Sequence, residues 1–103
     1  MFGLVVRFEV RDAAAAAEFD RLTALAVEQI KTLEPGTRVY ATHTVDGEPL
    51  ARVFYELYAD DDAFAVHEQA EHVHRFHADK DPLLTGPPRV EFLRPGPAKG
   101  LPS

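Results

Sequence analysis

Apolar residues alternate with polar ones at the start of the chain. Leu4, Val6, Phe8 and Val10 fall on one face of a predicted strand from Phe2 to Val10, with Val5, Arg7 and Glu9 on the other. The period then changes. Asp12 has the side chain of a helix N-cap, and Ala13 to Ala17 is a run of high helix propensity. Phe19, Leu22, Leu25, Ala26, Ile30 and Leu33 follow at helical spacing until Pro35-Gly36 ends the pattern. Thr37 to Val45, rich in β-branched and aromatic residues, reads as a second strand. Asp46-Gly47 is a two-residue hairpin signal, and Ala51 to Tyr58 is its antiparallel partner. Asp60 to Asp62 read as a helix-start charge run, because acidic residues suit the positive end of the helix dipole. The helical stretch after them runs from about Asp61 to Ala78, with a break near Ala70. Pro87-Pro88 precedes a last strand, Arg89 to Arg94, and the tail from Pro95 to Ser103 reads as an extended arm.

Strand, helix, strand, strand, helix, strand is the split βαβ order of a ferredoxin-like α+β fold, here a domain over residues 1–94 with a Pro/Gly-rich tail over 95–103. Its four-stranded antiparallel sheet should carry both helices on one face. The other face is then bare, yet Val5, Val53, Tyr55 and Leu57 fall on it. A bare apolar face predicts a homodimer.

Composition narrows the function classes. A net charge of −6 without a basic cluster argues against nucleic acid as a partner. With no cysteine there is no disulfide, thiol nucleophile, iron–sulfur cluster or zinc–cysteine site. The opening apolar run ends at Arg7, too short for a signal peptide or a spanning helix, so a cytoplasmic protein with no membrane partner is expected.

The candidate chemistry lies in five histidines and one strand carboxylate. On an unbroken helix His67 and His74 share one face with Phe64, His77 lies a turn beyond, and His72 points largely away. Imidazole titrates near neutral pH, so His67 is a candidate base in a pocket. Exposed helix histidines are the alternative. A metal site is not expected, because in His67-Glu-Gln-Ala-Glu-His72 Glu71 occupies the place of the second histidine of a zincin. Glu56, inside a strand, is either a base or a structural group that holds Arg7, Arg38 or Arg52 across the sheet or bonds across the dimer. Tyr40, Tyr55 and Tyr58 read as core aromatics whose hydroxyls could also meet a ligand.

The segment from Phe54 to His67, with its aromatic–Glu–apolar–Tyr run and acidic helix start, resembles the antibiotic biosynthesis monooxygenase family. Leu33-Glu34-Pro35-Gly36-Thr37 leading into the hairpin adds to the likeness, which extends from Gly3 to Arg94. The resemblance implies a dimeric α+β barrel that oxidises an aromatic or quinol-type small molecule with O2 and no cofactor, the deprotonated substrate itself passing an electron to oxygen. On that reading His67 and Glu56 are the catalytic candidates, and Phe64, His74, His77, Tyr55 and Tyr58 line the pocket. A non-oxidative isomerase or cyclase, or a dimer that binds small molecules without chemistry, are the alternatives on the same fold. The haem-degrading branch pairs an Asn and a Trp with its axial His. Their positions fall near Val6 or Arg7 and at His67, and the chain contains neither residue type.

Overall fold

The computed structural model describes residues 1–102, so the last residue of the expected tail lies outside it. β1 (Phe2–Glu9) is followed by α1 (Ala13–Leu33), β2 (Thr37–Val45), β3 (Glu48–Tyr58), α2 (Asp61–Gln69), α3 (Glu71–Lys80), a 3₁₀ turn at Asp81–Leu83, and β4 (Arg89–Leu93). The strands pair antiparallel in the order β2-β3-β1-β4, with all the helices packed on one face. The fold is thus the ferredoxin-like α+β arrangement, with bounds that shift by one to three residues.

Local chemistry accounts for each element. The Asp12 carboxylate accepts from the N–H of Ala15 at 2.8 Å and starts α1; Asp60 accepts from Ala63 at 2.7 Å and starts α2. Gly47 takes the positive φ of 77° that the β2–β3 hairpin requires. The buried stripe of α1 runs through Ala15, Phe19, Leu22, Ala26 and Ile30, while Leu25 and Leu33 fall off it and stay exposed.

Register decides which side chains meet the helices. Leu4, Val6 and Phe8 on β1 and Phe54, Glu56 and Tyr58 on β3 face them; Val5, Val53 and Tyr55 face the other way. Phe8, Phe19, Phe54 and Phe76 form the packed centre, with ring centroids 4.7–6.5 Å apart. Toward the open end of the sheet, by contrast, the layer between sheet and helices is not filled.

Candidate functional site

A cavity of about 310 Å³ lies between the sheet and the α2–α3 pair. Leu4, Val6 and Phe8 form its floor, Phe64 and Phe76 its roof, and the exposed Val90 and Phe92 of β4 its rim. Its polar groups are few: Tyr40, Glu56, His67, Glu68, His77 and Lys80. That is the composition of a small-molecule site, apolar walls with a small set of placed polar groups.

His67 sits in the last turn of α2 and is 4% exposed. Its Nδ1 lies 2.6 Å from Glu34 Oε1, which also accepts from the Thr37 hydroxyl at 2.7 Å. The other oxygen, Oε2, accepts from His72 Nε2 at 2.5 Å. Burial alone would push the Glu34 carboxyl up, but the hydrogen bonds from His67 and Thr37, the nearby imidazole charge and the bond from His72 outweigh it and hold the group down at about 2. Glu34 is therefore an anion at neutral pH and can only accept. This fixes a hydrogen on His67 Nδ1 and, in the neutral ring, leaves the Nε2 lone pair free.

The turn that follows α1 brings these groups together. Glu34 is the residue that ends that helix, and Pro35-Gly36 then leads directly into β2. A side chain at Gly36 would place its Cβ 2.7 Å from Ala63 Cβ, closer than real atoms approach. Only glycine lets α2 rest against this turn, and that approach carries His67 to Glu34.

Facing His67 across the cavity wall is Glu56, 5% exposed, with Oε1 3.8 Å from His67 Nε2. That is too long for a direct hydrogen bond. Glu56 instead accepts from the Tyr58 hydroxyl at 2.5 Å. Burial pushes the Glu56 carboxyl up, more than the Tyr58 bond and the His67 charge pull it down. The Tyr40 and Tyr58 phenols are pushed up by burial and then by the Glu56 charge.

Of the arginines named as partners for Glu56, Arg7 pairs with Glu9 and Glu48 and Arg52 with Asp20, while Arg38 is exposed on β2. A buried carboxylate without a cation is a cost to folding. Replacing Glu56 with glutamine is expected to raise Tm by a few degrees at pH 8 and less at pH 5. The folded carboxyl is raised, so the fold is penalised where solution pH would strip its proton and not where it keeps one. Thermal unfolding at both pH values checks this; a Tm lowered at pH 8 would count against it.

Of the residues picked from sequence, the structure brings His67, Glu56, Phe64 and His77 to the cavity wall. Tyr58 stands behind Glu56 and bonds it. Two are elsewhere. Tyr55 points to the opposite sheet face, as strand alternation requires of a neighbour of Glu56. His74 is exposed and bonds the Glu68 carbonyl at 2.7 Å, because Ala70 adopts an extended conformation (ψ 137°) and resets the helical phase between α2 and α3. The same reset turns His72, expected to point away, inward onto Glu34. Glu34 and Lys80 belong to the site and were not singled out. Glu34 had a readable signal, since a carboxylate at the negative end of a helix dipole must find donors. Among the described residues no group of three or more His, Asp or Glu side chains is arranged to hold a metal ion, and no helix is long and apolar enough to cross a membrane.

Fold and site together define a ferredoxin-like domain with an apolar cavity entered by a carboxylate-anchored histidine. Residues 1–79 match the model of the antibiotic biosynthesis monooxygenase family, and the chain belongs to that family. A protein from Caulobacter crescentus CB15 assigned as an antibiotic biosynthesis monooxygenase is 30% identical over 89% of this chain and 86% of its own, with a TM-score of 0.84. A Mycobacterium tuberculosis protein has 24% identity and a TM-score of 0.85 over 94% of this chain and 96% of its own. A Nitrosomonas europaea protein, also assigned as such a monooxygenase, has 21% and 0.84 over 92% and 98%. These last two show the shared fold alone. No curated protein matches the chain at a significant level.

Proposed function

We propose that the protein is a cofactor-independent monooxygenase that oxidises an aromatic or quinol-type small molecule with O2. The observation that carries this reading is the Glu34–His67 pair at the wall of an otherwise apolar cavity. Family membership supports it.

His67 Nε2 takes the proton of a phenolic or benzylic substrate, and the Glu34 anion stabilises the imidazolium that forms. The substrate anion gives one electron to O2, and the resulting radical and superoxide combine in a carbon–oxygen bond. With an anthrone, the hydroperoxide so formed loses water, and the sum is anthrone plus O2 to anthraquinone plus H2O. The walls exclude bulk water, which would otherwise solvate the anion and weaken its interactions with the site.

Glu56 with Tyr58 is the partner acid–base pair. Its raised carboxyl is suited to hold the proton that the hydroperoxide needs when its O–O bond breaks. O2 consumption with a panel of anthrones and quinols tests the proposal. Stoichiometric quinone formation is expected; tight binding of the panel with no O2 uptake above the uncatalysed rate would sink it.

We infer also that the working form is a homodimer, as the family's members generally are. Val5, Val53 and Tyr55 remain partly exposed on the sheet face that no helix covers, and Phe92 and Leu93 are exposed on the edge strand. Light scattering at micromolar concentration should give twice the 11.4 kDa chain mass, and the chain mass itself would be the contrary result.

A further inference from the structure

We propose that Lys80 is an anion-binding group at the end of the cavity remote from His67. The ligand is then an elongated flat aromatic that carries an ionisable hydroxyl at one end and a carboxylate or similar oxyanion at the other. The hydroxyl end rests on the function proposed above; the anionic end does not.

Lys80 is the last residue of α3 and is 2% exposed, among the most deeply buried side chains of the molecule. Lysine is almost never so buried unless its charge is matched. Its match here is thin. An ammonium has three N–H donors, and among the described residues its one hydrogen-bond partner is Asp81 Oδ1 at 2.7 Å, a carboxylate that is itself mostly in water. The remaining donors meet no acceptor. Nζ lies 5.2 Å from the Phe8 ring centroid and 5.7 Å from that of Phe76, two of the aromatic walls of the cavity. His77, one turn back on the same wall, is held toward its neutral form by burial and by the Lys80 charge, which leaves Lys80, among the described residues, as the basic group lining that end.

The two ends are set apart by the sheet register. Glu56 pairs with Leu4, and Phe8, under the ammonium, lies four residues further along β1. At roughly 3.3 Å per residue that separation is about 13 Å, the reach of two or three fused rings with a polar atom at each end. Charge then orients the ligand. An anionic substituent placed at the His67 end would face the Glu56 carboxylate, with the Glu34 anion behind the imidazole, whereas at the other end it completes the unfilled shell of Lys80. A structural role alone, with the ammonium held by Asp81 and packed over the Phe8 and Phe76 rings, leaves the remaining donors without a hydrogen-bond acceptor.

The test is anaerobic binding, followed by ligand fluorescence, of 6-hydroxy-2-naphthoate and its methyl ester, which keeps the shape and removes the charge. The wild-type protein should bind the acid about 10–100-fold more tightly than the ester, the range for one charge-assisted hydrogen bond in a dry site. Lys80→Met should abolish that preference with the ester's affinity unchanged, and Lys80→Arg should keep part of it. Should Lys80→Met not fold, Lys80→Gln takes its place in the same comparison, and equal binding of acid and ester by the wild type overturns the assignment without any variant. Equal binding, tighter binding of the ester, no binding of either at millimolar concentration, or a preference that survives in Lys80→Met would each overturn the assignment. Because no turnover is measured, a protein that prefers the acid but never consumes O2 loses the oxidative reading and keeps this one.

Discussion

Replacing His67 with alanine is expected to lower kcat about 10²–10⁴-fold, the usual contribution of a positioned general base, with ligand binding changed far less. The ring is held by one strong bond, Nδ1 to Glu34, inside a wall that also contains Tyr40 and Tyr58, whose ring centroids lie 5.7 and 5.2 Å away. Glu56 shares the wall but its Oε1 accepts from Tyr58 and it serves the later proton delivery, and His77 lies on α3, beyond the break at Ala70. Truncation also opens a void and leaves Glu34 with two donors in place of three, so a loss of stability accompanies the loss of rate. His67→Gln, which fills the space and can still donate to Glu34, separates the two: it should recover much of the stability and none of the rate. His74→Ala is the control, since its ring lies outside the cavity and bonds only a backbone carbonyl. Rates of O2 consumption within threefold of wild type for both His67 variants would remove the imidazole from the mechanism.

That contrast between His67 and His74 shows what the sequence could and could not reveal. The sheet and helices were legible because each rests on a local signal: alternation in Leu4, Val6 and Phe8, the Asp46-Gly47 turn, the Asp12 and Asp60 caps. The site is built from contacts between distant residues. A continuous helix through residues 61–78 puts His74 on the same stripe as His67; the expected break near Ala70 is present, but the extended backbone there resets the phase by an amount that no local signal gives. Glu34 stands next to the Pro35-Gly36 stop in sequence, but its main partner lies 33 residues away. The face of β3 that meets the cavity depends on which side the helices choose, a tertiary decision that alternation leaves open. Lys80 was unreadable for a simpler reason, because a lysine at the end of a helix is nearly always solvated.

Glu34 is the residue whose loss should unsettle the protein most. Its carboxylate accepts from Thr37, His67 and His72, and its side chain is 2% exposed. Glu34→Ala strands three buried or half-buried donors together, and breaking a buried charged network of this kind typically costs about 3–5 kcal/mol. In a domain of this length that is a fall in Tm of more than about 10 °C. The effect should depend on pH in a stated direction. The folded carboxyl titrates at about 2, below its ordinary 4.5, so its contribution to stability is full above about pH 5 and is lost as the pH falls toward 2. Wild type should therefore lose on the order of 3 kcal/mol across that window from this group, and the gap between wild type and Glu34→Gln should close over the same range. Denaturant unfolding at pH 6, 4 and 3 measures both curves. The variant should also lose activity although His67 is intact, because an amide presents either its oxygen or its NH2 to Nδ1 and no longer fixes which ring nitrogen carries the hydrogen. Parallel stability curves for the two proteins from pH 6 to 3 would show that Glu34 is not the group that anchors the site.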